Sequence, residues 1–205
     1  MKRIVLFLFL AMPLIVSGQV VNFAKTLPER AFSLGLTPAY YLDNNSVGLR
    51  SIGVDSDQGG AMAIGLTGGY GIQYSLDLGV KFNYVIDGTI YFGVDVQYLA
   101  YETRNSYFSV IAGLHVWDGY GVDLTGLFTY ALNYSINLSV GLDMDVDYFT
   151  DYYETGESKV GTRFWLPLNV GFNINEVVFL YAEYDLQVSQ WSWGIVAIGA
   201  NFIFR

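Results

Sequence analysis

The chain has 205 residues, of which 14% are charged and 17% aromatic, with 23 glycines, no cysteine and a formal net charge of −9. Soluble domains carry roughly 25% charged residues, so this surface is built differently, and the acidic balance excludes a nucleic-acid partner, whose phosphates need basic groups. The lack of cysteine excludes disulfides and thiol chemistry, and past residue 18 no apolar run reaches the ~18 residues of a spanning helix.

Residues 1–18 read as a secretory signal peptide: Lys2 and Arg3, an apolar run from Ile4 to Val16, then Ser17 and Gly18 before Gln19. The run is too short, and its far flank too uncharged, for a membrane anchor. Residues 19–29 have mixed character and form a periplasmic lead-in to a single domain, 30–205. From Phe32 the even positions turn apolar (Leu34, Leu36, Tyr40, Leu42), with Pro38 calling for a bulge because it cannot donate to a strand ladder. Asp43 to Gly60 is polar and Gly/Asp-rich, an exposed loop.

From Met62 to Ile86, twelve of thirteen even positions are apolar, Gly68 being the exception. From Tyr120 to Tyr148, fourteen of fifteen are, and Gly126 is the exception. Period-two alternation means extended chain with one apolar and one polar face, and each stretch is long enough for two strands and a turn. Tyr70-Gly-Ile-Gln-Tyr74 and Tyr130-Ala-Leu-Asn-Tyr134 form a repeat 60 residues apart, with tyrosines straddling a turn. Asp87-Gly88 and Asp118-Gly119 are hairpin signals. Apolar residues stay even across both, which implies three-residue connections with glycine in the left-handed position. Phe149 to Ser158 is an acidic, aromatic loop, and Pro167 interrupts the strand that follows it.

The pattern yields ten strands, at 30–42, 61–71, 74–86, 89–102, 107–117, 120–131, 134–148, 159–172, 177–188 and 193–204. Strands of this length with an unbroken apolar face suit a tilted crossing of a bilayer. The fold class is all-β, a transmembrane antiparallel up-and-down barrel. An eight-stranded count follows if a hairpin near Gly88 or Gly119 is instead a bulge. A soluble lipocalin-like barrel is disfavoured because the polar face carries Gly, Ser, Thr, Asn and scattered Asp rather than the Lys and Glu of a wet exterior.

The odd positions then fill the lumen. Its charged residues are Asp77, Lys81, Asp95, His115, Asp123, Arg163, Glu183 and Asp185. Unpaired charge there is costly, so Lys81, Arg163 and His115 should each bond to carboxylates. A packed lumen makes a plugged barrel, and an open one a cation-preferring pore. Asp143, Asp145 and Asp147 form an acidic ladder able to meet a hard divalent cation, without EF-hand spacing. His115 is the sole histidine and has no nucleophile adjacent in sequence, so catalysis is not expected. No cofactor is called for. Tyr70, Tyr74, Tyr84, Tyr130, Tyr134 and Tyr148 are placed to form girdles at the lipid headgroups.

The signal peptide, alternating strands, Tyr-flanked turns and terminal Ile198-x-Ala200-x-Phe202-x-Phe204 resemble the small outer-membrane β-barrel proteins of Gram-negative bacteria, in style the porin-like barrels of Bacteroidetes. The resemblance spans residues 30–205 and carries no functional motif. It implies residence in the outer membrane against lipid and lipopolysaccharide, with an envelope-structural or surface-interaction role for the loops, whose partner is unspecified. It also implies recognition of Phe202 and Phe204 by the barrel-assembly machinery, although Arg205 follows the terminal aromatic.

Overall fold

The structure, a computed structural model, describes residues 23–42, 60–86, 88–117, 119–150, 158–189 and 193–205. The signal peptide, nearly all of the 43–60 loop, Asp87, Asp118, residues 151–157 of the acidic loop and residues 190–192 lie outside that set.

Ten strands form one closed antiparallel barrel: β1 (Phe32–Leu42), β2 (Gly60–Gln73), β3 (Leu76–Val85), β4 (Ile90–Glu102), β5 (Ser106–Trp117), β6 (Gly119–Ala131), β7 (Ile136–Thr150), β8 (Ser158–Asn173), β9 (Val178–Gln187) and β10 (Gly194–Phe204). Each pairs with its sequence neighbours, and β1 closes on β10. The count is ten, and the hairpins near Gly88 and Gly119 are real.

What makes the alternation work round the whole barrel is parity. Phe92 lies opposite Val116, Val122 opposite Val146, Leu138 opposite Val170, and Val196 opposite Tyr184. Even residues meet even ones, so the same parity points outward on all ten strands. Two bulges, at Gly71/Gln73 and Leu99/Tyr101, shift the register, both beside the short-turn end. The bulge expected at Pro38 is not there. The ladder to β10 skips Thr37 and Pro38, then resumes in the same register, and the β2 side runs through unbroken. Pro167 behaves likewise, with Val140–Leu168 and Asp143–Trp165 in one register on either side of it. A missing N–H has cost local bonds without inserting a residue.

The short turns have local causes. Asn133 Oδ1 accepts the backbone N–H groups of Ser135 and Ile136 at 2.8 and 2.9 Å, and Asn175 Oδ1 accepts those of Val177 and Val178 at 2.8 Å each. These side chains imitate a backbone turn and fix the chain reversal. The two repeat copies share a register as well: Tyr70 faces Leu78 and Tyr130 faces Leu138.

The outer surface is apolar. Leu36, Ile64, Leu66, Val94, Leu114, Leu124, Leu142 and Ile198 all stand exposed. Tyr120 and Tyr148 stack at 5.1 Å at one rim, and Phe32 and Tyr70 meet at 4.7 Å near the other. Along β6, Tyr120 to Tyr130 is ten residues, roughly 33 Å of strand, which at the usual barrel tilt projects to ~25 Å, the height of a membrane barrel's apolar band. Tyr74, in a turn outside the strands, is two-thirds exposed. Its hydroxyl donates to Glu102, which holds its pKa above the ordinary tyrosine value.

Leu124→Arg, near the middle of that band, should destabilise the folded barrel in lipid vesicles by about 2–4 kcal/mol, whereas Tyr134→Arg at the rim should cost about 0–1 kcal/mol. Urea titration of the heat-modifiable folded form measures both.

Candidate functional site

With the apolar side chains outside, the charged side chains lie in the lumen. Eight carboxylates are buried there (Asp77, Asp95, Asp123, Asp143, Asp145, Asp147, Glu183 and Asp185) against Lys81, Arg163 and His115. All eight charged residues picked out by parity point inward and are buried. The ladder residues Asp143, Asp145 and Asp147 join them.

The cations are distributed in two places. Near mid-barrel, Lys81 Nζ of β3 lies 3.0 Å from Asp95 Oδ2 of β4. Closer to the rim at the β1–β2 and β7–β8 connections, His115 donates to Asp123 through Nδ1 and to Asp147 through Nε2 at 2.6 Å. A ring flanked by two acceptor carboxylates donates from both nitrogens and so carries positive charge. Arg163 adds a bond to Asp147 Oδ2 at 2.7 Å, and Trp117 Nε1 reaches Asp147 Oδ1 at 3.3 Å. Asp147 therefore takes three donors. Parity predicted that these groups share the lumen, but which carboxylate serves which cation depends on strand stagger, which the pattern does not carry.

Around this ion network sits a layer of large rings. Tyr41, Tyr91, Trp117, Trp165 and Trp193 are each at most 8% exposed. Arg163 lies against Trp117 and Trp193, its guanidinium 4.9 and 5.3 Å from their ring centroids, which are themselves 5.4 Å apart. Tyr91 lies on His115 at 4.6 Å, and Trp165 Nε1 donates to the Trp193 carbonyl at 2.8 Å. Rings and ions pack against one another as one buried layer. Tyr41 and Trp193 were not singled out from the sequence, although both occupy odd, inward positions.

The other end is entered by the chain itself. Residues 23–28, the described part of the expected lead-in, run inside the barrel mouth. Ala24 N donates to Thr129 Oγ1 at 2.9 Å, and the Ala24 carbonyl accepts Ser109 Oγ at 2.5 Å. Gln97 Nε2 donates to the Phe23 carbonyl at 2.9 Å, and Leu27 N donates to Asp77 Oδ2 at 2.6 Å. Ala24 is fully buried against Leu99, Tyr107, Ile111 and Leu127, and Phe23 packs edge-on to Phe179 at 4.6 Å. The sequence held a signal for this: Leu99, Ile111 and Leu127 are apolar at odd positions on three adjacent strands. Beside this strap a cavity of about 780 Å³ reaches the short-turn rim, bounded by Leu27, Asp77, Asp95, Asn137 and, at the lip, Arg104 and Arg205.

Among the described residues, one grouping of metal-ligating His and carboxylate side chains results. His115, Asp145 and Asp147 bring ligand atoms within 4.8 Å of one another, but the positive charges of His115 and Arg163 already stand among them. Asp143 departs from the other two rungs of the ladder, accepting Thr125 Oγ1 at 2.5 Å. The six tyrosines named for girdles all lie on the outer face or in turns. Tyr84 and Tyr148 stand toward one rim and Tyr70, Tyr74, Tyr130 and Tyr134 toward the other, with Phe202 and Phe204 at the end of β10.

Asp147→Asn should destabilise the barrel by about 3–5 kcal/mol, because Arg163, 1% exposed, and His115 both lose the ionised carboxylate they bond to. Adding Arg163→Met should recover most of that loss, and a double-mutant cycle read by urea unfolding checks the coupling.

No family model and no curated protein matches the chain. Among solved structures, an outer membrane channel from Pseudomonas putida F1 superposes over 91% of this chain and 100% of its own, with a TM-score of 0.55 at 8% identity. The N-terminal β-barrel domain of OprF from Pseudomonas aeruginosa aligns over 87% of this chain and 100% of its own at 13% identity, with a TM-score of 0.42. Omp33 from Acinetobacter baumannii aligns over 86% and 99% at 11% identity, also with a TM-score of 0.42. Identity this low speaks to fold alone. A closed ten-strand meander with an apolar exterior and a polar interior makes this chain a β-barrel of the outer-membrane type.

Proposed function

We propose that this protein is a non-conducting, non-catalytic barrel of the bacterial outer membrane that serves the envelope structurally or displays its connecting loops to a surface partner. The observation that carries this reading is the filled lumen, with an aromatic and ionic layer at one end and residues 23–28 at the other. Four of the five rings, Tyr41, Tyr91, Trp117 and Trp165, stand on strands, and Trp193 directly precedes β10.

The apolar band supports residence in a bilayer, and the outward tyrosines at both rims fit the headgroup layers and lipopolysaccharide. On this reading the chain is exported by its signal peptide, and Phe202 and Phe204 address it to the assembly machinery. His115 does not serve as a general base, since both ring nitrogens are engaged by carboxylates and neither offers a lone pair.

A channel is the second reading. The similar structure from Pseudomonas putida is an outer membrane channel, and the lumen here holds an excess of carboxylates beside a cavity of about 780 Å³. Conductance in planar bilayers between pH 5 and 8 separates the two. The refolded barrel, its insertion verified by protease protection, should be silent, and so should a variant lacking residues 23–28, because the ring layer remains. Steady cation-selective steps from the intact chain would replace the sealed-barrel reading with the channel.

A further inference from the structure

The three lumen cations serve only part of the acidic network. Lys81 is engaged by Asp95, and Arg163 and His115 by Asp147 and Asp123. The wall formed by β8 and β9 is different. There Glu183 and Asp185 lie two residues apart on β9, 3% and 2% exposed. Their side chains are in hydrogen-bonding contact, and both Asp143 of β7 and Lys81, itself paired with Asp95, are within electrostatic reach of Asp185. Two carboxylates in contact inside a barrel cannot both stay ionised without a positive charge between them.

Asn169 on β8 faces Glu183 in register and Ser139 on its other side. It is 5% exposed, and neither its Oδ1 nor its Nδ2 has a hydrogen-bond partner. Asp185 Oδ1 is also without one. The amide nitrogen can turn toward a carboxylate. The amide oxygen cannot, because ionised carboxylates only accept. An acceptor aimed among acceptors is satisfied by a donor or a cation, and leaving it unsatisfied costs about 1–3 kcal/mol.

We propose that Glu183, Asp185 and Asn169, with Asp143 beside them, bind a hard divalent cation of the calcium class inside the barrel. An all-oxygen donor set of carboxylates and an amide carbonyl selects calcium over softer metals, which favour nitrogen and sulfur. The cation also lowers the excess of negative charge that the three basic side chains leave in the lumen. The His115–Asp145–Asp147 group is the poorer site, since Arg163 and the His115 ring already supply its positive charge.

The full barrel, refolded into detergent in calcium chloride and passed over a chelating resin, can be assayed for metal by atomic emission, with folding judged by heat-modifiable migration. About one calcium should stay with each folded chain. Asp185→Asn and Glu183→Gln should each weaken retention roughly ten-fold or more by removing a charged ligand, and Asn169→Asp should strengthen it. Asp77→Asn, at the mouth, controls for loosely held ions and should leave the stoichiometry unchanged. If Asp185→Asn does not fold, Asn169→Leu, which leaves every charge in place, gives the same readout. A folded wild-type chain without stoichiometric calcium, or one whose calcium is indifferent to these substitutions, overturns the proposal.

Discussion

The structure depends on one constraint, that each hairpin must hand its partner strand the same parity. A register slip of one residue would turn an entire apolar face into the lumen and a polar one into lipid. In a bilayer that exchange is prohibitive, because unpaired polar groups have no water to turn to. Turn chemistry serves this constraint. Asn133 and Asn175 close their turns through paired backbone bonds, so that Tyr130 faces Leu138 and Phe172 faces Leu180. The two prolines obey it as well. Pro38 and Pro167 break ladder bonds, yet the register on either side is unchanged.

Inverting the usual arrangement moves the specific chemistry inside. The outer face needs only to be apolar and of the right height, and many sequences meet that demand. The lumen must fill a closed cross-section with groups that satisfy one another. Arg163 shows how narrow the solutions are: its charge meets Asp147 at 2.7 Å, and its guanidinium rests against both Trp117 and Trp193. Lysine could take the ion pair but not the stack. Buried ionic networks add little net stability compared with apolar packing, and breaking one partner is what costs. Their consequence here is a single arrangement of β5, β7 and β8 around Asp147.

Strand positions and the inside–outside sorting were legible because period two is a local property and parity survives every turn. All ten strands lie within two residues of their expected bounds. The lumen pairings were legible only as a set. Whether Lys81 meets Asp95 or another inward residue of β4 such as Gln97 depends on the stagger of β3 against β4, and alternation is blind to stagger. The strap was read as a lead-in because residues 23–28 have no period at all; they are held by their backbone, which any sequence supplies. Its trace lay elsewhere, in the apolar side chains of Leu99, Ile111 and Leu127 on a face that should have been polar. Pro38 misled in the other direction, because a bulge is only one of two ways to place a residue without an N–H.

The two ends of the barrel are therefore not equivalent. Toward the long 43–59 connection the ring layer of Tyr41, Trp117, Trp165 and Trp193 packs inside the lumen on residues of the strands and the one that directly precedes β10. Toward the short turns the closure is a strap, held chiefly by backbone hydrogen bonds to inward side chains such as Thr129, Ser109 and Asp77, with a cavity beside it. A strand-built seal opens only when the barrel distorts, whereas a strap can part from its wall at the cost of a handful of hydrogen bonds, each worth about 1 kcal/mol net. The cavity beside the strap reaches the carboxylates Asp77 and Asp95 from the short-turn side. The ion network of Asp147, His115 and Arg163 lies directly against the ring layer, and the cavity lies toward the strap.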